Sequence, residues 1–355
     1  MGALAPRSAA ALSIVDPGQG PVALADDAGT APTELSGLTW VPGTSEYLAI
    51  SDDLPTLHRL AVAIDPVSGA ITSAATTGAL ALTRADGTAL PASRDLEGVA
   101  LAAGGASVWV SDEGGMKIRE HSLATGRTQT EIGTASDPAL AVFANRRTNL
   151  GWESLARATD TGLLWTANEE ALSVDGASGQ GAGSTRVRLQ AIAPSGASAG
   201  QWAYVTGSGI VPGAIGNTNN GVSDLVALPG GQLLVLERSA GLVAYPDLDF
   251  RNRIYLVDFS GATDVTALAL LGSGGFTSVS KTLLWEGLFG DDNFEGLALG
   301  PLLANGDRSL VLVSDDGAGF QQSLYALRLV GVPEPSSALL LAGGALLLGC
   351  VRRRG

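Results

Sequence analysis

Short apolar runs alternate with turn-forming residues along most of this chain. The runs read YLAI, SVWV, LLWT, LLVL and LVLV, and each has the length of a β-strand. Gly, Pro, Asn and Asp fill the intervals between them, as is typical of tight turns. No amphipathic helical pattern of ten or more residues stands out. The pattern therefore predicts an all-β protein built from hairpins.

One unit recurs five times: an acidic residue beside small and apolar residues, a turn, and an apolar strand that ends in acids. The copies span Glu34–Asp53, Asp95–Gly115, Asn149–Glu170, Gly221–Ser239 and Asn293–Gly317. Short strands repeated at this spacing predict a β-propeller with one repeat in each blade. We favour six blades within a range of five to seven, because the region from Thr159 to Gly221 has strand-like runs without the motif.

Carboxylates recur at two points of the unit. The first set is Glu97, Glu153, Asp224 and Glu295, and the second is Asp52, Asp112, Glu169, Glu237 and Asp315. Equivalent positions of propeller blades face one region, so we expect these side chains to converge near the central channel. Clustered carboxylates repel one another, and a bound cation such as Ca²⁺ relieves the repulsion. A second interpretation stays open, in which the same acids merely fix turns.

The amino-acid composition argues against several classes of function. The 355 residues carry a net charge of −14, and only 16% of them are charged, so the chain lacks the basic surface that nucleic acid requires. Cys350 is the only cysteine, which excludes disulfides, Cys-based zinc sites and a cysteine nucleophile from the body of the chain. Ser198 lies in a G-x-S-x-G match that lacks the strand and helix of a nucleophile elbow. The catalytic residues therefore stay unassigned.

The repeated motifs together resemble the phytase-like family, described as having "esterase-like activity of phytase". The segments that carry the resemblance are ELSGLTW, DLEGVAL, NLGWESLA, LLVLERS and NFEGLALG, within Glu34 to Val330. The resemblance implies a β-propeller and an exported location, with phosphate esters as one substrate class. Phytate-type substrates need either basic side chains or Ca²⁺ ions that bridge acidic groups to phosphate.

With two lysines in the chain, a basic route to phosphate must use arginines. We name Arg238, Arg119 and Arg253 as candidate substrate-binding residues. Arg238 directly follows Glu237, so an ion pair between neighbouring side chains is the alternative role. The abundance of acids favours the Ca²⁺ route over the basic one.

The last 24 residues form a separate pattern. Val332, Pro333, Glu334 and Pro335 precede an apolar run from Ser337 to Val351, and the chain then ends in Arg352, Arg353, Arg354 and Gly355. As a helix the run measures about 22 Å, shorter than the hydrocarbon core of about 30 Å. This arrangement resembles the PEP-CTERM sorting signal, whose partner is an exosortase-type protease in the bacterial inner membrane. It implies a short anchoring helix, then release to the cell envelope or the exterior.

These observations divide the chain into residues 1–33, a propeller over 34–330 and a sorting signal over 331–355. The first segment only faintly resembles an export signal, so we expect the true start to lie upstream of Met1. Three functions stay open. They are a Ca²⁺-dependent phosphoesterase or related hydrolase, a non-catalytic envelope or matrix propeller that binds a ligand or polysaccharide, and a lactone or ester hydrolase with one central metal.

Overall fold

The computed structural model describes residues 11–29, 31–181, 183–317 and 321–332. The described chain is all-β, as predicted, and its single 3₁₀ helix spans Pro138–Asn145. No helix among these residues is long and apolar enough to span a bilayer. The apolar run Ser337–Val351, the motif residues from Pro333 onward and the first ten residues lie outside the described ranges.

Five sheets form the blades of the propeller, and three short strands precede them: β1 (Ser13–Val15), β2 (Val22–Ala23) and β3 (Ala25–Asp26). Blade 1 contains β4 (Leu35–Trp40), β5 (Glu46–Ser51), β6 (Thr56–Ile64) and β7 (Ile71–Ala81), with β3 parallel to β7. Blade 2 contains β8 (Leu96–Leu101), β9 (Ser107–Asp112), β10 (Lys117–Ser122) and β11 (Thr128–Gly133). Blade 3 contains β12 (Ala156–Arg157), β13 (Leu164–Ala167), β14 (Arg186–Ile192) and β15 (Ser198–Val205).

Blade 4 contains β16 (Thr218–Ala227), β17 (Leu233–Leu242), β18 (Leu248–Asp258) and β19 (Ser280–Leu288). Blade 5 contains β20 (Phe294–Leu302), β21 (Arg308–Ser314) and β22 (Ser323–Val330), completed by β1 and β2, which both pair with β22. The last blade thus combines strands from both ends of the described chain, which closes the ring. Residues 13–26, assigned above to a leading segment, supply these closing strands and β3.

The structure has five blades, where the sequence favoured six. The region from Thr159 to Gly221, which suggested an extra blade, supplies the three outer strands of blade 3. Their inner partner β12 is only two residues long, and it pairs with β13 through Ala156 and Trp165. A full set of outer strands behind so short an inner strand explains why the region looked like an independent unit.

The core lies between neighbouring blades. Leu38 and Tyr47 of blade 1, for example, share one buried cluster with Val311 and Val313 of blade 5. Alternating apolar side chains on both faces of each sheet meet those of the next sheet in this way. The arrangement holds the five innermost strands in fixed positions around the channel.

Small residues allow these innermost strands to approach closely. A Cβ atom on Gly37 would lie 2.3 Å from the carbonyl oxygen of Glu97, and one on Gly98 would lie 2.3 Å from the backbone nitrogen of Leu155. Both distances are far below van der Waals contact, so any larger residue would push the blades apart. These two glycines, which follow Ser36 and Glu97, therefore set how closely the first three blades approach one another.

Candidate carboxylate centre

A β-bulge near the start of the innermost strand sets the direction of one side chain in each blade. Four of these strands change register there: between Leu35 and Gly37, Leu96 and Val99, Val222 and Asp224, and Phe294 and Gly296. A bulge commonly re-aims a side chain. With the equivalent residue of blade 3, these positions form what we call the bulge ring: Ser36, Glu97, Glu153, Ser223 and Glu295.

A second set of equivalent residues follows the second strand of each blade. The backbone N–H groups of Asp52, Glu113, Glu169 and Asp315 each donate to the carbonyl two residues before the bulge-ring residue of the same blade. In blade 4 the equivalent position is Arg238, which pairs in register with Gly221. We call this set the strand-end ring: Asp52, Glu113, Glu169, Arg238 and Asp315.

The two rings bring carboxylates into close groups. One oxygen from each of Glu97, Glu153 and Glu295 lies within 4.8 Å of the other two, and all three residues are 5% exposed. Asp52, Asp95 and Glu97 form a second group by the same distance. Glu97 belongs to both groups, so the carboxylates form one continuous cluster.

Glu153 differs from its neighbours in having no partner. Glu97 accepts a hydrogen bond from Ser36 Oγ at 2.5 Å, and Glu295 accepts from Arg238 Nη2 at 2.5 Å. Asn293 Nδ2 also donates to Glu295, at 2.8 Å. The Glu153 carboxyl makes no hydrogen bond or ion pair with any residue in the described ranges. Carboxyls gathered this closely repel one another when ionised, and either protons or a cation among them relieves the repulsion.

Burial shifts the pKa values of the cluster upward. Loss of solvation, followed by the neighbouring charges of Asp95 and Glu113, raises the pKa of Glu97 well above its ordinary value. The pKa of Glu153 is raised in the same way, by burial and then by the charge of Glu97. A bound cation would favour the ionised forms of these carboxyls, so cation binding would be coupled to proton release.

The strand-end ring is shifted too. Burial first, and then like charges nearby, raise the pKa of Asp52 to about 8, of Glu113 to about 8 and of Asp315 to about 7. Burial raises the pKa of Glu169 to about 7, although the charge of Arg238 opposes the rise. Four groups of one ring thus titrate near neutral pH.

The guanidinium of Arg238 is in direct contact with this cluster. Burial alone would lower its pKa, but the carboxylates of Glu295, Glu169 and others outweigh that effect and raise it. Its Nη2 atom lies 2.5 Å from Glu295 and 3.7 Å from Glu169. Arg238 is therefore paired with acids of the cluster and not with Glu237, the partner considered from the sequence. Its acidic neighbour in sequence, Glu237, pairs instead with Lys281 at 2.6 Å.

The structure places Asp112 away from the cluster. Its carboxylate lies 2.5 Å from Arg119 Nη1 and accepts backbone N–H groups from Asp95 and Gly115. Asp112 pairs with Leu96 in the sheet, and the next residue, Glu113, is the one that reaches the cluster. Successive residues of a strand point to opposite sides, so a shift of one residue exchanges the two roles.

Asp224 also lies apart from the grouped carboxylates. Its oxygens accept backbone N–H groups from Leu225 at 2.8 Å and from Leu297 at 2.7 Å, and its carboxyl also accepts from the N–H of Leu155. It occupies the glycine position that follows the bulge ring, directly against the neighbouring inner strand. Asp224 therefore links three blades through their backbones.

The two other candidate arginines occupy ion pairs in the blades. Arg119 binds Asp112 and, through Nε at 2.8 Å, Glu131. Arg253 Nη2 lies 3.3 Å from Glu237 and 3.0 Å from Asn220 Oδ1, and the side chain is buried. Neither arginine is brought to the carboxylate cluster.

Two residues of the cluster were missing from the sequence prediction, Asp95 and Glu113. Each adjoins a predicted ligand in sequence: Asp95 precedes Glu97 by two residues, and Glu113 follows Asp112 directly. Strand alternation offered a signal for Asp95, because residues two apart point to the same side. The choice between Asp112 and Glu113 needed the register of β8 and β9.

Substitutions at these two neighbours separate their roles. We expect Asp112→Asn to lower the free energy of unfolding by about 2 kcal/mol, since it leaves the buried Arg119 guanidinium less well paired. Glu113→Gln should leave stability within about 0.5 kcal/mol or raise it, and weaken Ca²⁺ affinity about tenfold through loss of a nearby charge. Urea unfolding and calcium titration calorimetry measure the two effects. The opposite pattern would restore Asp112 to the cluster.

Comparison with known proteins places the chain in context. A family model described as "Phytase-like: Esterase-like activity of phytase" matches residues 31–318. Among solved structures, Kuenenia stuttgartiensis hydrazine synthase is 14% identical over 82% of this chain and 80% of its own, with a TM-score of 0.38. The PQQ-bound aldose sugar dehydrogenase of Streptomyces coelicolor is 14% identical over 91% and 99%, also with a TM-score of 0.38. Likenesses this distant carry no argument about chemistry, and no curated protein matches the sequence.

Proposed function

Because this chain belongs to the phytase-like family, described by the esterase-like activity of phytase, we propose that it hydrolyses phosphate esters at the carboxylate cluster with Ca²⁺ bound there. The observation that carries the proposal is the buried, unpartnered carboxyl of Glu153 within 4.8 Å of Glu97 and Glu295. Three carboxyls this close repel one another when ionised, and a cation among them would relieve that repulsion.

The residues present fit a calcium ion. Ca²⁺ binds oxygen ligands at about 2.3–2.6 Å, so two ligands of one ion lie at most about 5 Å apart. The oxygens of Glu97, Glu153 and Glu295 meet this limit, and those of Asp52, Asp95 and Glu97 meet it again. When bound, Ca²⁺ supplies a Lewis acid that polarises a phosphoryl or carbonyl oxygen. An all-oxygen ligand set favours Ca²⁺ over the softer transition metals.

Arg238 and Glu113 supply the remaining functions. The Arg238 guanidinium borders the cluster through Glu295 and Glu169, where its other N–H groups donate to the anionic part of an ester. Glu113 Oε1 accepts the N–H of Gly151, whereas the buried Oε2 has no partner among the described residues. With its pKa raised to about 8 by burial, Glu113 is suited to hold and transfer a proton near neutral pH.

The test is hydrolysis by the purified full chain with Ca²⁺ and with a chelator. We expect release of phosphate from phytate or p-nitrophenyl phosphate with Ca²⁺, and at least a 100-fold lower rate after chelation. Activity on p-nitrophenyl acetate or a lactone but on no phosphate ester would favour the single-metal ester hydrolase. Calcium binding without any hydrolysis would favour the non-catalytic propeller, and a rate that chelation leaves unchanged would overturn the proposal.

We also propose that the protein is exported and that an exosortase-type protease removes its C-terminal signal. Support comes from the sequence of Val332 to Pro335, the apolar run Ser337–Val351 and the terminal arginines Arg352–Arg354. Mass spectrometry of the protein from its native cells tests this. We expect a C-terminus close to Pro335, and an intact Gly355 in the mature protein would contradict processing.

A further inference from the structure

A cavity of about 500 Å³ lies farther along the channel than the carboxylates. Five residues of its wall are Leu38, Val99, Leu155, Leu225 and Leu297, and each follows a residue of the bulge ring by two positions in the chain. No carboxylate of the cluster lines it. The volume lies within the range of about 300–1,000 Å³ that is typical of small-molecule sites.

The cavity combines an apolar wall with two guanidiniums. Arg157 and Arg308 both line it, and neither has a carboxylate within ion-pair distance among the described residues. Backbone carbonyls hold them in place: Arg157 Nε donates to Leu101 at 2.7 Å, and Arg308 Nη1 donates to Gly300 at 3.0 Å. Their remaining N–H groups are available to an anion.

The charged side chains that line the cavity, two arginines and Asp160, leave one positive charge in excess. Asp160 is the acid that lines the cavity, but its two oxygens accept backbone N–H groups from Thr161 at 2.9 Å and Gly230 at 3.1 Å. Arg308 Cζ also lies 5.9 Å from the centre of the Trp40 ring, and Trp40 lines the same cavity. In a chain of net charge −14, two arginines without acidic partners beside an apolar chamber are complementary to an anion with an apolar body.

The geometry points to a binding site for a linear aliphatic carboxylate. Its hydrocarbon chain lies against the ring of Leu38, Leu155 and Leu225, and its carboxylate pairs with a guanidinium of the cavity wall, Arg157 or Arg308. Apolar burial supplies the affinity, and the guanidiniums fix the orientation and exclude cationic amphiphiles. This site is separate from the carboxylate cluster and does not depend on the hydrolase proposal.

Calorimetry with the full chain tests the site. We expect dodecanoate to bind with micromolar Kd, decanoate to bind more weakly by about fourfold for each methylene lost, and dodecyltrimethylammonium to bind at least tenfold more weakly than dodecanoate. The double variant Arg157→Gln/Arg308→Gln should lose at least tenfold in dodecanoate affinity. The matched variant Arg84→Gln/Arg127→Gln, at exposed arginines outside the cavity, should bind dodecanoate normally.

A second variant keeps the test decisive if the arginine substitutions disturb folding. Ala227→Phe fills part of the cavity and should weaken dodecanoate binding while calcium binding stays unchanged. Equal binding of the cationic and anionic amphiphiles, or equal affinity in the double glutamine variant, would overturn the proposal. So would no binding of dodecanoate at 1 mM.

Discussion

Replacing Glu97, Glu153 and Glu295 with glutamine should abolish calcium binding by this propeller. The three carboxyls supply oxygens within 4.8 Å of one another, and glutamine keeps their size but removes three negative charges from a buried site. Charge–charge attraction in such surroundings is several times stronger than in water. We expect calcium affinity to fall at least 1,000-fold and calcium-dependent hydrolysis to fall to the background rate.

The same triple variant should be more stable than the parent when no metal is present. Burial and mutual repulsion raise the pKa values of Glu97 and Glu153, so their ionised forms oppose folding at neutral pH. Neutral side chains remove that opposition. Thermal unfolding in chelator measures the gain, and calorimetry measures the calcium affinity.

A matched triple variant controls for net charge. Asp27→Asn, Asp86→Asn and Asp247→Asn remove three charges at exposed positions and should retain calcium binding and hydrolysis. If both triple variants lose calcium binding equally, overall charge and not the cluster is responsible. If the glutamine variant keeps the affinity of the parent, the carboxylates fix turns, as the second interpretation of the sequence held.

The sequence was sufficient to predict three of the five residues in the bulge ring. Glu97, Glu153 and Glu295 were recognisable because each opens a hairpin with the same order of acid, small residue and apolar strand. Equivalent blade positions face the channel, so repetition alone carried the inference. The serines at positions 36 and 223 carried no chemical signal, although they belong to the same ring.

In the strand-end ring the sequence pointed to Asp52, Glu169 and Asp315 but missed Glu113, for a physical reason. Two polar residues stand side by side at the end of the second strand, as in Asp112–Glu113 and Glu237–Arg238. Strand alternation sends one of them to the channel and the other into the blade. The register of the strand pair decides which of the two residues faces the channel. That register depends on the bulge in the facing strand, and neither composition nor spacing revealed the bulge. The residue that points into the blade forms an ion pair there: Asp112 with Arg119, and Glu237 with Lys281.

The apolar chamber escaped sequence reasoning because its residues read as ordinary core. Leu38, Val99 and Leu155 belong to strand-like runs whose apolar character is explained by packing alone. Only closure of the ring shows that they surround a space. Three of the five inner segments thus carry an acid in the bulge ring, and all five carry an apolar wall residue two positions later.

Without metal, the protein should become less stable as pH rises, whereas with Ca²⁺ it should not. Asp52 and Glu113 have pKa values of about 8 in the folded protein, against ordinary values of 3.8 and 4.5, and Glu169 and Asp315 have values of about 7. Such groups take up protons on folding. Their contribution to the free energy of unfolding is therefore complete below about pH 4 and is lost as pH rises through 7 to 8.

Thermal unfolding between pH 5.5 and 8.5 measures this loss. The window lies above the pKa values of exposed acids such as Asp65 and Asp86, which hydrogen bonds to turn residues hold below their ordinary range. In chelator we expect Tm to fall by about 10 °C across the window, as several kcal/mol would produce in a protein of this size. The stabilisation by 1 mM Ca²⁺ should grow over the same range, because the ion competes with fewer protons at high pH.

The glutamine triple variant supplies the control for this profile. It removes the like charges of Glu97, Glu153 and Glu295 from the surroundings of the strand-end ring, so its Tm in chelator should change less with pH, and Ca²⁺ should not raise it at any pH. A parent Tm in chelator that stays level or rises from pH 5.5 to 8.5 would show that these carboxyls ionise at ordinary pKa values. The ring would then be solvated, and the physical case for a cation-completed centre would fail.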